Sequence, residues 1–420
     1  MEIINSIVGL GAAVMMPIIF FVVGLIFRLG IGKSFKAGMT VGVGFVGVSM
    51  VINLLLDNLG PASKAMVNRL GMHLNVVDVG WPTASTIGWG TPIMAAAVVG
   101  FIVINALMLL LKFTKTVNVD IFNYWNFLQV GALVFAVTRN FWFSVAISWV
   151  AFAVVLKVAD LAAPYIQKQY NLKGISFPHI AGLAWAPIAI VVNWIVDRIP
   201  GLRKIEFNAE KIQKKFGAFG EPVVLGFILG LVIGILAGYS PDKALGLSIN
   251  VAAAMVLLPK MINVLIEGLV TVRDAAEKQL KIWFPKREFY IGMDTALLIG
   301  EPSVLATGLL LIPIAIVLSL ILPGNSMLPF ADLASLTFLL ALVTPFVRQN
   351  MFKMLIVGTI SIIIILYVGS SISPYFAQSA VMANIKLPAD FSGIGSMTSA
   401  ASSWIGWVAV KIGELFNVIV

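Results

Sequence analysis

The chain has 420 residues, 60% of them hydrophobic and only 11% charged, against about 25% charged in soluble proteins, so it is read as an integral membrane protein rather than a soluble domain. Its net charge of +9 does not point to nucleic acid, because the basic residues are spread over loops between apolar runs, which is how membrane orientation is encoded. The absence of cysteine excludes disulfides, thiolate metal sites and a cysteine nucleophile, and two histidines are too few for a histidine metal cluster.

The N-terminal run MEIINSIVGLGAAVMM carries Glu2 instead of a basic leader and no small-residue cleavage site, and is expected to be a retained first span. Apolar runs predict spans near 6–28, 38–58, 93–111, 120–138 and 141–159. A second set follows near 220–238, 244–265, 304–322, 330–347 and 352–369. Past Gly369 a serine- and glycine-containing segment reads as external, and an eleventh span is expected near Trp404 to Val418. Between the sets, 198–219 is the longest charged stretch, a cytoplasmic loop with an amphipathic piece at Asn208 to Phe216. Its basic residues either hold orientation or form a docking face for a soluble partner.

The two sets resemble one another. VINLLLDNL from Val51 matches MINVLIEGL from Met261, GTPIMAA from Gly90 matches GEPSVLA from Gly300, and ALVFAVTRN from Ala132 matches ALVTPFVRQN from Ala341. The first two matches share an offset of 210 residues, as does Asn140 with Asn350, which predicts an internal duplication of 6–160 and 216–370. Such repeats are the signature of many transporters. An odd number of spans per repeat makes the copies antiparallel if the linker does not cross. With a non-crossing linker and an outside N-terminus, most lysines and arginines fall on one side, as the positive-inside rule requires. The run 180–197 is therefore expected to be re-entrant.

Carboxylates in apolar surroundings single out the functional candidates. Tyr290 to Thr307, YIGMDTALLIGEPSVLAT, holds Asp294 and Glu301 among glycines and a proline. At a bilayer centre each would cost about 2.5–3.5 kcal/mol, so both should face a protein-lined or watery cavity, unless they only cap half-helices or pair with a base. The first-half counterpart, Val77 to Pro92, supplies Asp78, Trp81, Thr83, Ser85 and Thr86. Two broken segments at matching repeat positions point to a midplane binding site. Asp120, Asn123, Asn126 and Gln129 recur every third residue in an apolar run. This polar strip suits a ligand with several hydroxyls, or serves as glue between helices. His179, in SFPHIAG, stands at the mouth of the re-entrant run, as a ligand contact or a structural histidine; His73 is a weaker candidate in an external stretch. Glu221 reads as a helix-start carboxylate. No phosphate-cradling GxxxxGK[ST] loop is present.

FKAGMTVGVGFVG, VVDVGWP, VNVDIFNYWN, FGEPVVLGFILGLVIGILAGY and IGMDTALLIG together resemble the galactitol-type enzyme IIC, the membrane permease of the bacterial phosphoenolpyruvate-dependent sugar phosphotransferase system, from about Phe35 to Asn350. That family is similar to the ascorbate-type permeases, homodimers with a V-shaped scaffold and a moving core. The resemblance implies an all-α membrane protein of about 11 transmembrane helices plus re-entrant segments, with two inverted five-helix repeats working as an elevator. It divides the chain into scaffold helices at 1–75, a core with a re-entrant linker at 76–200, a cytoplasmic loop with scaffold helices at 201–285, and a core with the C-terminal helix at 286–420.

By the same resemblance, galactitol or a related polyol would be held by Trp81, Thr83, Asn123, Asn126, His179 and Asp294, to which the broken segments and the polar strip add Asp78, Asp120 and Glu301, with no cofactor and no metal. Some members carry histidine at the position of Glu301, which leaves the substrate open. Phosphoryl transfer would come from a phosphocysteine on a separate IIB partner, charged through IIA, with this chain bearing no phosphorylated residue. Asp294 or Glu301 would orient or deprotonate the accepting hydroxyl. The expected setting is the bacterial cytoplasmic membrane, in contact with lipid and not with nucleic acid. Two other readings compete, an ion-coupled secondary transporter of a small polar solute and a membrane-embedded enzyme using the carboxylates as acid and base.

Overall fold

The computed structural model describes residues 12–69, 74–205, 207, 222–285, 287–329, 331–385 and 393–419. His73, Glu221 and the stretch Asn208 to Phe216 lie outside them.

The first half opens with α1 (Ala12–Ile26) and α2 (Ile31–Arg69), then a short strand β1 (Val76–Asp78). It continues through α3 (Gly80–Gly90), α4 (Met94–Leu110), β2 (Thr116–Asn118), a 3-10 turn at Phe122–Tyr124 and α5 (Trp125–Thr138). Helix α6 (Phe141–Tyr170), β3 (Ile175–Ser176), α7 (Ile180–Leu183) and α8 (Ala186–Arg198) complete it. The second half has α9 (Pro222–Leu236), α10 (Pro241–Trp283), β4 (Tyr290–Gly292), a 3-10 turn at Thr295–Leu297 and α11 (Pro302–Ile321). Then come β5 (Met327–Leu328), a 3-10 turn at Leu333–Ser335, α12 (Leu336–Ala341), a 3-10 turn at Thr344–Val347, α13 (Met351–Met382), β6 (Gly393–Gly395) and α14 (Trp404–Ile419).

Helices α2 and α10 are far longer than the apolar runs within them. At 1.5 Å per residue their 39 and 43 residues extend roughly 58 and 65 Å, about twice the hydrocarbon thickness. Hydropathy reads only their apolar parts; the charged ends stay helical because Lys, Arg, Glu and Ala are good helix formers. Each is preceded by a shorter helix that folds back on it across a turn closed alike in both halves. Leu29 N–H donates to Gly24 O at 2.9 Å and Tyr239 N–H donates to Gly234 O at 3.0 Å, with the matching residues Arg28 and Gly238 at positive φ.

α2 and α10 then cross each other in the most extensive helix contact of the described residues. Close approach there requires glycine. A Cβ on Gly44 would stand 2.5 Å from Leu265 Cα, and one on Gly268 would stand 2.8 Å from Val41 N. A hydrogen bond from Asn250 Nδ2 to Asn58 Oδ1, 2.7 Å, adds a polar tie to the same pair.

Among the described residues four helices are long and apolar enough to cross a bilayer alone: Phe141–Tyr170, Ile180–Arg198, Pro302–Ile321 and Met351–Met382. A fifth span arises if Thr83–Gly90 and Met94–Leu110, bent by 90°, count as one. Ile180–Arg198, expected to be re-entrant, is thus long enough to cross by itself. The segment before α14 is buried within the protein: Ser396, Ser399, Ser402 and Ser403 are at most 2% exposed.

Two three-stranded parallel sheets hold the broken segments, in the orders β5-β1-β6 and β2-β4-β3. Each takes its central strand from one half and both flanking strands from the other. Val77 pairs with Leu328 and Ile394; Ile291 pairs with Val117 and Ile175. These ladders satisfy backbone groups that helix geometry leaves open at membrane depth. Below β2, Phe101, Tyr124, Phe127 and Phe152 pack with ring centroids 4.8 to 5.7 Å apart and wedge the start of α5 between α4 and α6.

Gly268→Leu is expected to lower the thermal midpoint of the detergent-purified protein, because the conflict with α2 costs about 1–3 kcal/mol. Gly246→Ala, at a position with nothing within 4 Å, should leave it in place. Size-exclusion after graded heating compares the two, and equal midpoints would refute the tight crossing.

Candidate functional site

The chain leaves each central strand into a cluster of buried carboxylates, and the two clusters differ. Asp78 ends β1 fully buried. Its Oδ1 accepts from Gly80 N at 3.1 Å and Met397 N at 3.3 Å, and its Oδ2 accepts from Asp332 N at 2.7 Å. Asp332, also fully buried, accepts from Trp81 N at 2.8 Å through Oδ1. Its Oδ2 accepts from Ser396 Oγ at 2.6 Å and Thr398 N at 3.1 Å. Every oxygen of this pair is occupied, which is what makes two buried carboxylates tolerable. The cluster therefore clamps three separate segments together. Asp78, expected to touch ligand, is spent on this clamp.

The cluster after β4 is open by comparison. Asp294 caps the turn at Thr295–Leu297, its Oδ1 accepting from Ala296 N at 2.8 Å. Asp120 accepts only from Asn123, whose Nδ2 lies at 2.7 Å and backbone N at 3.4 Å. A relay behind it fixes the loop: Asn118 Oδ1 accepts from Asp120 N, and Asn105 Oδ1 accepts from Asn118 N. His179 Nδ1 accepts from Gly182 N at 3.2 Å and caps α7, which leaves Nε2 as the protonated, donating nitrogen of the neutral ring. Asp294 acts electrostatically on both Asp120 and His179, and all three are at most 8% exposed. Asp294 also borders a small cavity lined by Phe20 of α1, Val41 of α2, and Leu265 and Leu269 of α10. The other residues lining that cavity are apolar, and Asp120 and His179 are not among them.

Glu301 caps α11, its Oε2 accepting from Val304 N at 2.8 Å. Its charge reaches Tyr170, whose hydroxyl donates to Ala341 O at 3.2 Å. The polar strip divides between the two clusters. Asp120 and Asn123 belong to the open one. Asn126 Oδ1 accepts from Ala400 N at 3.2 Å and Gln129 Nε2 donates to Ala84 O at 3.4 Å, toward the clamp. Trp81 starts α3 with its backbone on Asp332, and Thr83 follows two residues later on that helix.

Sequence reasoning missed Asp332, Ser396 and Thr398. The alarm that marked Asp294, a carboxylate in an apolar run, applies equally to Asp332 in FADLASLTFLLALV. Ser396 and Thr398 carried no signal, because a serine-rich stretch reads as loop.

A bundle of apolar helices with broken segments meeting at buried polar clusters defines a multi-pass membrane permease. The family described as "PTS system sugar-specific permease component" matches residues 6–390. The chain is 38% identical over 417 residues to the "PTS system galactitol-specific EIIC component" of Escherichia coli K12, covering 99% of this chain and 92% of that protein. It is 39% identical over 415 residues to a "Putative permease IIC component" of the same organism, covering 98% and 93%. The chain belongs to the sugar-specific permease components of the phosphotransferase system, as the sequence resemblance implied.

Asp78→Asn places an NH2 against an N–H donor and should cost about 1–3 kcal/mol of stability. Asp294→Asn keeps the acceptor for Ala296 N and should cost less than about 0.5 kcal/mol. Thermal midpoints of the purified variants test the contrast between a closed clamp and an open site.

Proposed function

We propose that this permease binds galactitol or a closely related polyol between the two clusters, carries it inward, and presents it to a phosphorylated IIB protein. The observation that carries the reading is the buried group of Asp120, Asp294 and His179, whose carboxylates hold fewer hydrogen bonds among the described residues than the clamp does. Its membership of a family with a galactitol-specific member supports the substrate class.

Asp294 and Asp120 accept hydrogen bonds from polyol hydroxyls, and His179 Nε2–H donates one. Asn123 backs Asp120, while Trp81, Thr83 and Asn126 bind the far end of the chain. Asp78 holds the segment that carries Trp81. For transfer, a polyol oxygen attacks the phosphorus of the IIB phosphocysteine in line. The S–P bond breaks, the cysteine leaves as thiolate, and the hydroxyl proton passes to a carboxylate, Asp294 or Glu301.

The transport cycle we infer is an elevator. Helices α1, α2, α9 and α10 form the scaffold and pack chiefly on one another, which supports a separable unit. The remaining elements form the core. Two inverted repeats account for the matched helix pairs, and for two sheets in which β1, β5 and β6 take the places of β4, β2 and β3. The domain bounds 1–75, 76–200, 201–285 and 286–420 follow, with eleven spans, a homodimer, the bacterial cytoplasmic membrane and an outside N-terminus.

Vesicles containing the protein, with and without phospho-IIB enclosed, should trap galactitol phosphate only when phospho-IIB is present. Asp294→Asn should abolish the phosphate product while radiolabel still binds or exchanges weakly. Concentration of free galactitol on an ion gradient, ignoring IIB, would replace this reading with a secondary transporter.

The chain has no native cysteine, so single cysteines report topology directly. Lys112→Cys and Lys278→Cys should react with an impermeant maleimide only from the cytoplasmic side, Arg139→Cys and Lys243→Cys only from outside. Labelling of Lys112 and Lys278 from opposite sides would overturn the inverted arrangement.

A further inference from the structure

A closed circuit of contacts surrounds the far end of the site. Asp332 takes Trp81 N on one oxygen and Thr398 N on the other. Two residues past Thr398, Ala400 N donates to Asn126 Oδ1. One turn along α5, Gln129 Nε2 donates to Ala84 O, three residues after Trp81. The backbone of α3, the segment 396–400 and α5 are thereby fixed around one another. Each of the four side chains on this circuit keeps one buried polar atom without a partner among the described residues: Trp81 Nε1, Thr398 Oγ1, Asn126 Nδ2 and Gln129 Oε1.

Asn126 and Gln129 are each only 1% exposed. Buried polar atoms are nearly always paired, and four of the thirteen unpaired ones among the described residues fall on this one ring of contacts. Together they provide two fixed donors, one fixed acceptor and a hydroxyl that does either. Adjacent hydroxyls of an acyclic polyol match that set, because each both donates and accepts.

We propose that Thr398 is a substrate-contacting, specificity-determining residue. Its hydroxyl completes a diol-binding end with Trp81, Asn126 and Gln129, and the Asp332 carboxylate holds it in place through its backbone. The assignment rests on the polyol reading above.

Its test is equilibrium binding of radiolabelled galactitol to the purified full-length protein and to Thr398→Val and Thr398→Ser, with thermal midpoints measured without ligand. The unaltered protein should bind. Valine, which matches threonine in shape, should raise Kd about tenfold, the loss of one hydrogen bond. It should also keep or raise the ligand-free midpoint, because it removes an unpaired hydroxyl. Serine should stay within about threefold of the unaltered Kd.

An unchanged Kd for Thr398→Val overturns the assignment, and so does a lowered ligand-free midpoint for valine that serine restores, which marks a structural hydroxyl. Absence of galactitol binding by the unaltered protein overturns the polyol reading and this assignment with it.

Discussion

Non-helical backbone inside a bilayer must find its hydrogen bonds within the protein, and this constraint organises the molecule. Each half leaves its helices at three short strands, and none of these could be satisfied alone at two or three residues in length. The solution is exchange. β1 is flanked by strands from the second half and β4 by strands from the first, so each half closes the other's broken backbone. Neither half is complete without its partner, and the polar clusters fall where the central strands end. The irregularity that would be costly in lipid is thereby kept where it can serve a polar substrate.

The two ends of this arrangement are chemically unequal. Among the described residues Asp78 and Asp332 together accept six hydrogen bonds, one of them from Asp332 N itself, so that each of their four oxygens has a donor. Asp120 and Asp294 together accept three, from only two residues. A carboxylate that is saturated builds structure; one that is not is available for a ligand. The closed pair fixes the backbone of Trp81 and Thr398, and the open pair keeps acceptor capacity unused among the described residues. Two similar backbone arrangements thus yield different work because the residues just after the strands differ, Gly80 and Trp81 in one, Asp294 and Thr295 in the other.

Much of this was legible in sequence where the signal was a violated expectation. Asp294 and Glu301 in an apolar run, and the three-residue rhythm from Asp120 to Gln129, marked segments whose polar groups are buried in the structure, because polar groups in lipid need a reason. The 3-10 turn at Phe122–Tyr124 even explains the rhythm's start, since three residues make one such turn. The strands were invisible, because two or three residues carry no periodicity. Asp78 and Asp294 looked alike in sequence, and only the placement of Asp332, Ser396 and Met397 separates a clamp from a site. The burial of segment 396–403 was illegible for a related reason: serines that are buried against backbone partners have the same composition as serines in a loop.

The inequality of the clusters also gives the proposed reaction a direction. A neutral polyol gains from both ends, donors and acceptors being complementary to its hydroxyls. Its phosphate ester would carry a charge of roughly −1.5 to −2 at neutral pH. Asp120 and Asp294 lie within each other's field in a buried setting, where two carboxylates do not both ionise readily but even one negative charge is poorly screened. Adding a phosphate dianion beside them would oppose binding of the product while leaving binding of the substrate intact. The carboxylates that receive the polyol would therefore also expel its phosphate, so that the bond formed in the transfer step, rather than an ion gradient, makes uptake one-way.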